Sequence, residues 1–133
     1  MQATATSSAR MTVATPCRLI LIEDDENVRR STTMLLRARG FQIDAYRNAS
    51  EFLMMTGNHG GDCLLIDYKM PRIDGLELMY RIRQLDDQTP GIMVTGFYSD
   101  SLKRRAIEAG FADVLEKPAK PHALETMIEA VLA

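Results

Sequence analysis

The sequence predicts an α/β domain in which one parallel β-sheet is covered by helices on both faces. Two observations carry this. The runs at 19–22 and 63–66 are apolar at every position, the mark of strands buried on both faces rather than one. Such runs alternate with longer segments whose apolar residues recur at helical spacing. Short connections between alternating strands and helices imply parallel pairing, right-handed crossovers and helices on either side.

In chain order, residues 1–16 stand apart. Ala, Thr and Ser fill ten of the sixteen positions and Arg10 is the only charged side chain. No period is visible, so this stretch reads as a disordered tail ending at Pro16, with the folded domain over 17–133. The first strand covers 19–22. Val28, Thr32, Leu35, Leu36 and Arg39 then mark a helix stopped by Gly40, which suits the left-handed residue past a helix end. Phe41, Ile43 and Ala45 alternate as a short strand. Asn48 with Glu51 three residues on forms a helix-start signature for a short helix running to about Gly57. The third strand is 63–66. A helix from about Gly75 to Leu85 carries Leu76, Met79 and Tyr80 on one side and Leu78 and Ile82 on another. A strand at 92–94 follows, then a helix with Leu102, Ala106 and Ala109 that Gly110 ends. Val114 and Leu115 form the last strand. Leu124, Met127, Ile128, Val131 and Leu132 line the closing amphipathic helix.

Composition excludes several classes. The chain has 133 residues, 46% hydrophobic and 26% charged, enough for one self-sufficient core. A net charge of −2 lacks the basic footprint of an autonomous nucleic-acid binder. No apolar run is long enough for a membrane span or a signal-peptide core. Cys17 and Cys63 lie in apolar, strand-like surroundings without metal spacing, and read as reduced thiols of a cytoplasmic protein. His59 and His122 have no metal-spacing partners and read as surface histidines. The nine methionines read as packing residues. Lys103, Arg104 and Arg105 read as a solvated helix face. Arg29, Arg30 and Arg37 are assigned the same way, with a docking face as the competing role.

In such folds the functional site lies beyond the carboxyl ends of the strands. The first strand runs into Glu23-Asp24-Asp25-Glu26, the third into Asp67, the fourth into Thr95-Gly96 and the fifth into Glu116-Lys117-Pro118. The fold thus gathers carboxylates, a hydroxyl and an ammonium on one rim. Carboxylates at close range repel unless they are protonated or share a cation, and hard oxygen ligands suit Mg²⁺. A carboxylate beside a divalent ion is a competent phosphoryl acceptor. Asp25 and Glu26 open the first helix, where capping and dipole roles suffice.

These motifs resemble the receiver domain of two-component response regulators. The matching pieces are Leu-Ile-Glu-Asp-Asp-Glu at 21–26, Leu-Ile-Asp-Tyr-Lys-Met-Pro at 65–71, Asp74-Gly75, Val94-Thr95-Gly96 and Glu116-Lys117-Pro118. The resemblance spans about 18–132 and implies a flavodoxin-like (βα)5 three-layer sandwich with strand order 2-1-3-4-5. It implies Asp67 as phosphoacceptor, Thr95 as the switch hydroxyl and Lys117 as the phosphoryl partner behind a cis Lys117–Pro118 bond. It implies Mg²⁺ held by Glu23, Asp24, Asp67 and the backbone carbonyl of Lys69. The implied partners are a histidine kinase or histidine phosphotransfer protein and a downstream protein target. The only chemistry expected is the domain's own phosphorylation and dephosphorylation, with no direct nucleic-acid binding and no membrane insertion. A single-domain regulator is the favoured form. A module of a larger transcriptional regulator or hybrid kinase, and a degenerate receiver acting by binding alone, are the alternatives.

The pattern departs from the family at two places. Val114 stands where Tyr or Phe is usual, so output through an aromatic switch is not expected to operate in the usual way, and Ala119 stands where Phe is common. Lys69 and Phe97, two residues beyond Asp67 and Thr95, flank the path of attacking water. Phe97 has no group to orient it, which implies a long-lived aspartyl phosphate. Two rivals, one an enzyme and one a binding module, fit less well. An aspartyl phosphatase needs a second Asp where Lys69 stands. A nucleotide binder would set phosphate against the 23–26 carboxylates.

Overall fold

The computed structural model describes residues 17–55 and 59–133. The expected tail at 1–16 and the expected helix end near Gly57 lie outside them. Five strands and five helices alternate: β1 (Arg18–Ile22), α1 (Glu26–Ala38), β2 (Gln42–Tyr46), α2 (Ala49–Leu53), β3 (Cys63–Asp67), α3 (Gly75–Gln84), β4 (Gly91–Thr95), α4 (Asp100–Ala109), β5 (Asp113–Glu116) and α5 (Pro121–Leu132). All pairings are parallel and the strand order is 2-1-3-4-5. The expected fold class and strand order are those observed.

Alternation along the strands divides the core in two. Ile20, Ile22, Leu64, Ile66 and Met93 face α2, α3 and α4, where they meet Phe52, Leu78 and Leu102. Leu19, Leu21, Cys63, Leu65 and Ile92 face α1 and α5, where they meet Leu36, Leu124 and Ile128. The two apolar runs are buried at every position, because helices cover both faces of the sheet.

Helix ends follow the signals in the sequence. Asp25 caps α1 by accepting from the Val28 N–H, Asp74 caps α3 through Glu77, and Ser99 caps α4 through Leu102. Gly40 (φ +97°) follows α1 and Gly110 (φ +113°) closes α4, both in the left-handed region that glycine enters freely. Asn48 caps α2 through the Glu51 N–H. The Glu51 carboxylate reaches back to the Arg47 N–H rather than to the capping residue, and that contact holds its pKa down. On α3, Leu78, Met79 and Ile82 are buried, but Tyr80 is exposed. Its hydroxyl accepts from Gln84 Nε2, so Tyr80 turns away from the core that Leu76 and Met79, expected on the same side, do join.

His59 is also placed differently from expectation. Its side chain is 9% exposed, with Nε2 2.7 Å from Asp87 Oδ2 and Nδ1 accepting from the Gly61 N–H. Burial works against the Asp87 carboxylate, but hydrogen bonds from Thr89 and His59 outweigh it and hold its pKa low. His59 thereby ties the turn before β3 to the turn before β4. Cys63 is buried and Cys17 half-buried, and both are free thiols. Burial pushes them up to about 12 and about 11, so both stay protonated near neutrality.

Gly75 fixes the loop that leaves the end of β3. Its N–H donates to the Tyr68 carbonyl at 2.8 Å. A Cβ built there would lie 2.6 Å from the Asp67 carbonyl oxygen and 3.0 Å from Tyr68 Cα. Those obstacles are backbone atoms, which cannot swing aside as a side chain would. Gly75→Ala is therefore expected to cost about 1–3 kcal/mol, comparable to core overpacking, read as a lower urea midpoint with an unchanged slope.

Candidate functional site

Strand register assembles the site. Ile22 pairs with Ile66, so Glu23 and Asp67 leave adjacent strands side by side, about 4.8 Å apart in the pairing direction. Asp67 in turn pairs with Val94, and Thr95 pairs with Glu116, directly before Lys117. Four chain segments far apart in sequence thus end at one level of one rim.

The side chains converge there. Glu23 and Asp67 are buried, while Asp24 is exposed. One oxygen from each of the three lies within 4.8 Å of the others. The Lys117 ammonium lies 2.7 Å from Glu23 Oε1 and 3.2 Å from Asp67 Oδ1. The Lys117–Pro118 bond is cis, as expected. The second Glu23 oxygen accepts from the Asp25 N–H, and the Glu23 carbonyl accepts from the Arg29 guanidinium at 3.0 Å. The sequence reading gave Arg29 no part in this. The available signal was an arginine in the first turn of the helix that directly follows the acidic strand end.

Thr95 is fully buried, and its hydroxyl accepts from the Phe97 N–H at 2.9 Å, closing the turn after β4. That hydroxyl is thus held by its own loop, not by the acidic cluster. The Lys69 side chain is exposed and lies 5.8 Å over the Phe97 ring, a cation–π contact that links the loops after β3 and β4. Val114 is buried in the core beneath α4, with Leu102, Ala106 and Phe111.

Electrostatics make the cluster a cation site in waiting. With all groups ionised, three carboxylates face one ammonium and the balance is two negative charges, which matches a divalent ion with oxygen ligands. Burial and the Glu23 charge push the Asp67 carboxyl up to about 7, against the opposing pull of Lys117. Burial alone would depress the Lys117 ammonium, but the Glu23 and Asp67 carboxylates outweigh it and hold its pKa above the usual lysine value. The amine therefore stays charged at neutral pH while Asp67 is poised between its two states.

The model of the response regulator receiver domain family matches residues 19–129. Among individual proteins, the chain is 32% identical to nodulation protein W of Bradyrhizobium diazoefficiens over 90% of this chain and 52% of that protein. It is 31% identical to the transcriptional regulatory protein FixJ of the same organism over 90% of this chain and 58% of that one. It spans about half the length of the curated relatives it matches. Among solved structures, a CheY-like response regulator receiver domain protein from Methanospirillum hungatei superimposes with a TM-score of 0.81 at 28% identity, covering 89% of this chain and 94% of that one. Among the described residues, no helix is long and apolar enough to cross a membrane.

The perturbed aspartate gives a signed prediction for the metal-free protein. An unfolded aspartate titrates near ~3.9, whereas in the fold Asp67 keeps its proton up to about 7. Its contribution to stability is therefore full below the unfolded value and is lost as pH rises toward the folded one. In the presence of a chelator, Asp67→Asn is expected to be more stable than the parent at pH 8 by about 1–3 kcal/mol. The gap should shrink toward pH 5 in urea titrations. An equal gap at both pH values would contradict the raised aspartate.

Proposed function

The chain belongs to the response regulator receiver domain family, and from that membership we propose that Asp67 accepts a phosphoryl group from the phosphohistidine of a histidine kinase or phosphotransfer protein. The observation that carries this reading is the Lys117 ammonium 3.2 Å from Asp67 Oδ1, beside the acidic trio. In the transfer, an Asp67 carboxylate oxygen forms the new P–O bond as the P–N bond to the donor imidazole breaks. The electron pair of that bond returns to the ring nitrogen. Glu23, Asp24 and Asp67, with the Lys69 carbonyl, would hold Mg²⁺. The bound ion would supply charge neutralisation for the phosphoryl oxygens.

The residues of the chain do the rest. Lys117 already faces the acceptor oxygen and is fixed there by Glu23, so it is placed to pair with the incoming phosphoryl group. Thr95 is the candidate switch hydroxyl: its oxygen accepts from the Phe97 N–H, and its O–H would donate to a phosphoryl oxygen. The domain acts on no other substrate in this reading; it catalyses its own phosphorylation and dephosphorylation and then alters the binding of a downstream protein in the cytoplasm. The half-length match to the relatives supports a second form of the same reading, in which this receiver is one module of a larger regulator.

Acetyl phosphate with Mg²⁺ tests the assignment directly. Intact mass is expected to show one phosphoryl adduct that disappears with chelator and in Asp67→Asn. An undiminished adduct in Asp67→Asn would overturn it.

The Lys69–Phe97 contact bears on how long the phosphoryl group lasts. Lys69 and Phe97 lie two residues beyond Asp67 and Thr95 on the loops after β3 and β4, and neither side chain carries a carboxylate or amide to align water. The aspartyl phosphate is expected to be long-lived, and Phe97→Glu to shorten its half-life by about tenfold or more, as positioned acid–base groups do. Decay of the adduct followed by phosphate release is the measurement, and equal decay in parent and variant would refute it.

A further inference from the structure

The turn that carries Glu23 and Asp24 from β1 into α1 is held by its backbone as well as by its acids. The Glu23 N–H donates to the Tyr46 carbonyl at the end of β2, at 3.1 Å. The Glu23 carbonyl accepts from Arg29 Nη1 at 3.0 Å, and the same nitrogen lies 3.5 Å from the Asp24 carbonyl oxygen. Arg29 stands in the first turn of α1, so its side chain folds back over the turn that starts its own helix. Its partners are carbonyls, not carboxylates. Lys117 differs in this respect, because it engages Glu23 Oε1 and Asp67 Oδ1, two oxygens of the acidic cluster itself.

The distinction matters because of the charge the turn carries. With all groups ionised, Glu23, Asp24 and Asp67 leave two negative charges after Lys117 is counted. Carbonyl dipoles of the same turn aimed into that cluster would add to the repulsion, and a half-buried carbonyl without a donor is costly in its own right. Arg29 gives both carbonyls a cationic donor and takes up no carboxylate oxygen. The Glu23 side chain has further anchors in Lys117 and the Asp25 N–H. Asp24 is the exposed member of the trio, and the backbone that carries it is what Arg29 contacts.

We propose that Arg29 is a positioning residue for the cation site: by fixing the Glu23–Asp24 turn, it holds the acidic trio in the arrangement that takes Mg²⁺. Arg29 has this role only if the trio holds Mg²⁺, as proposed above. Groups that orient metal ligands without touching the ion typically change affinity by about 10–100-fold when lost. Charge alone predicts the opposite sign. A guanidinium near the cluster repels a dication, so removing it with the geometry unchanged would tighten Mg²⁺ binding. A role in stability alone would lower the urea midpoint and leave the Mg²⁺ affinity of the folded protein as it was.

The full chain, labelled with ¹⁵N, is titrated with MgCl₂ while the amide shifts of Asp67, Tyr68 and Lys69 are followed. The parent is expected to saturate. Arg29→Ala removes the donor, and Arg29→Gln removes the charge and shortens the reach. Each is expected to raise the Mg²⁺ dissociation constant by about tenfold or more, and either variant decides the matter if the other fails to fold. A parent that saturates, with folded variants that bind Mg²⁺ as tightly or more tightly, would overturn the role of Arg29 and leave the Mg²⁺ reading standing. A parent without saturable shifts at these amides would overturn that reading and the role of Arg29 with it.

Discussion

The constraint on which the rim depends is that two carboxylates, Glu23 and Asp67, are buried side by side with one ammonium between them. Parallel register leaves no choice about their proximity, since Ile22 and Ile66 are paired and the next residue on each strand is acidic. Burying one such charge is costly and burying two together more so. Lys117 meets that cost in part, reaching from the end of β5 to both oxygens. The remainder shows in Asp67, which retains its proton far above the ordinary aspartate range. Lys117 therefore holds the site together without metal and offers the charge that a phosphoryl group would use.

The rest of the fold tolerates this because its stability lies elsewhere. Both sheet faces carry fully buried aliphatic side chains, and three of the helices are capped by their own Asp or Ser residues. The loop leaving β3 is pinned by Gly75 against the backbone of Asp67 and Tyr68, and Met70 is buried just beyond. Unfavourable electrostatics is thus confined to the ends of strands whose middles are well packed, which is where natural folds carry their conflicts.

Much of this was legible in the sequence, for physical reasons that can be named. Fully apolar strand runs announce burial on both faces, so the class of the sheet and its five units could be read directly. Glu23, Asp24, Asp67 and Lys117 could be found because parallel sheets collect their strand ends on one rim. The misses share a cause. His59 looked like a loop histidine because its partner, Asp87, is 28 residues away, and no local pattern encodes that contact. Tyr80 sat at helical spacing with apolar neighbours, but its polar end found Gln84 at the surface. Arg29 was read as one of a set of solvated arginines, whereas its guanidinium reaches the backbone of the acidic strand end. Periodicity reports which face is apolar; it does not report what meets a particular polar atom.

Two small residues near β5 have consequences of different kinds. Val114 is buried against Leu102, Ala106 and Phe111, and it has neither a ring to rotate nor a polar end to exchange between core and solvent. A change at the rim therefore has no aromatic lever to move at that point. The groups that do touch the rim and also reach the surface are Lys117 with the Pro118–Ala119 turn, and Thr95 with the Phe97 loop through the Phe97 N–H. The first leads into α5 and the second carries the ring beneath Lys69. Any rearrangement of charge at Asp67 bears on those two loops, because they carry Lys117 and Thr95, and rearranged contacts there are what a partner would read.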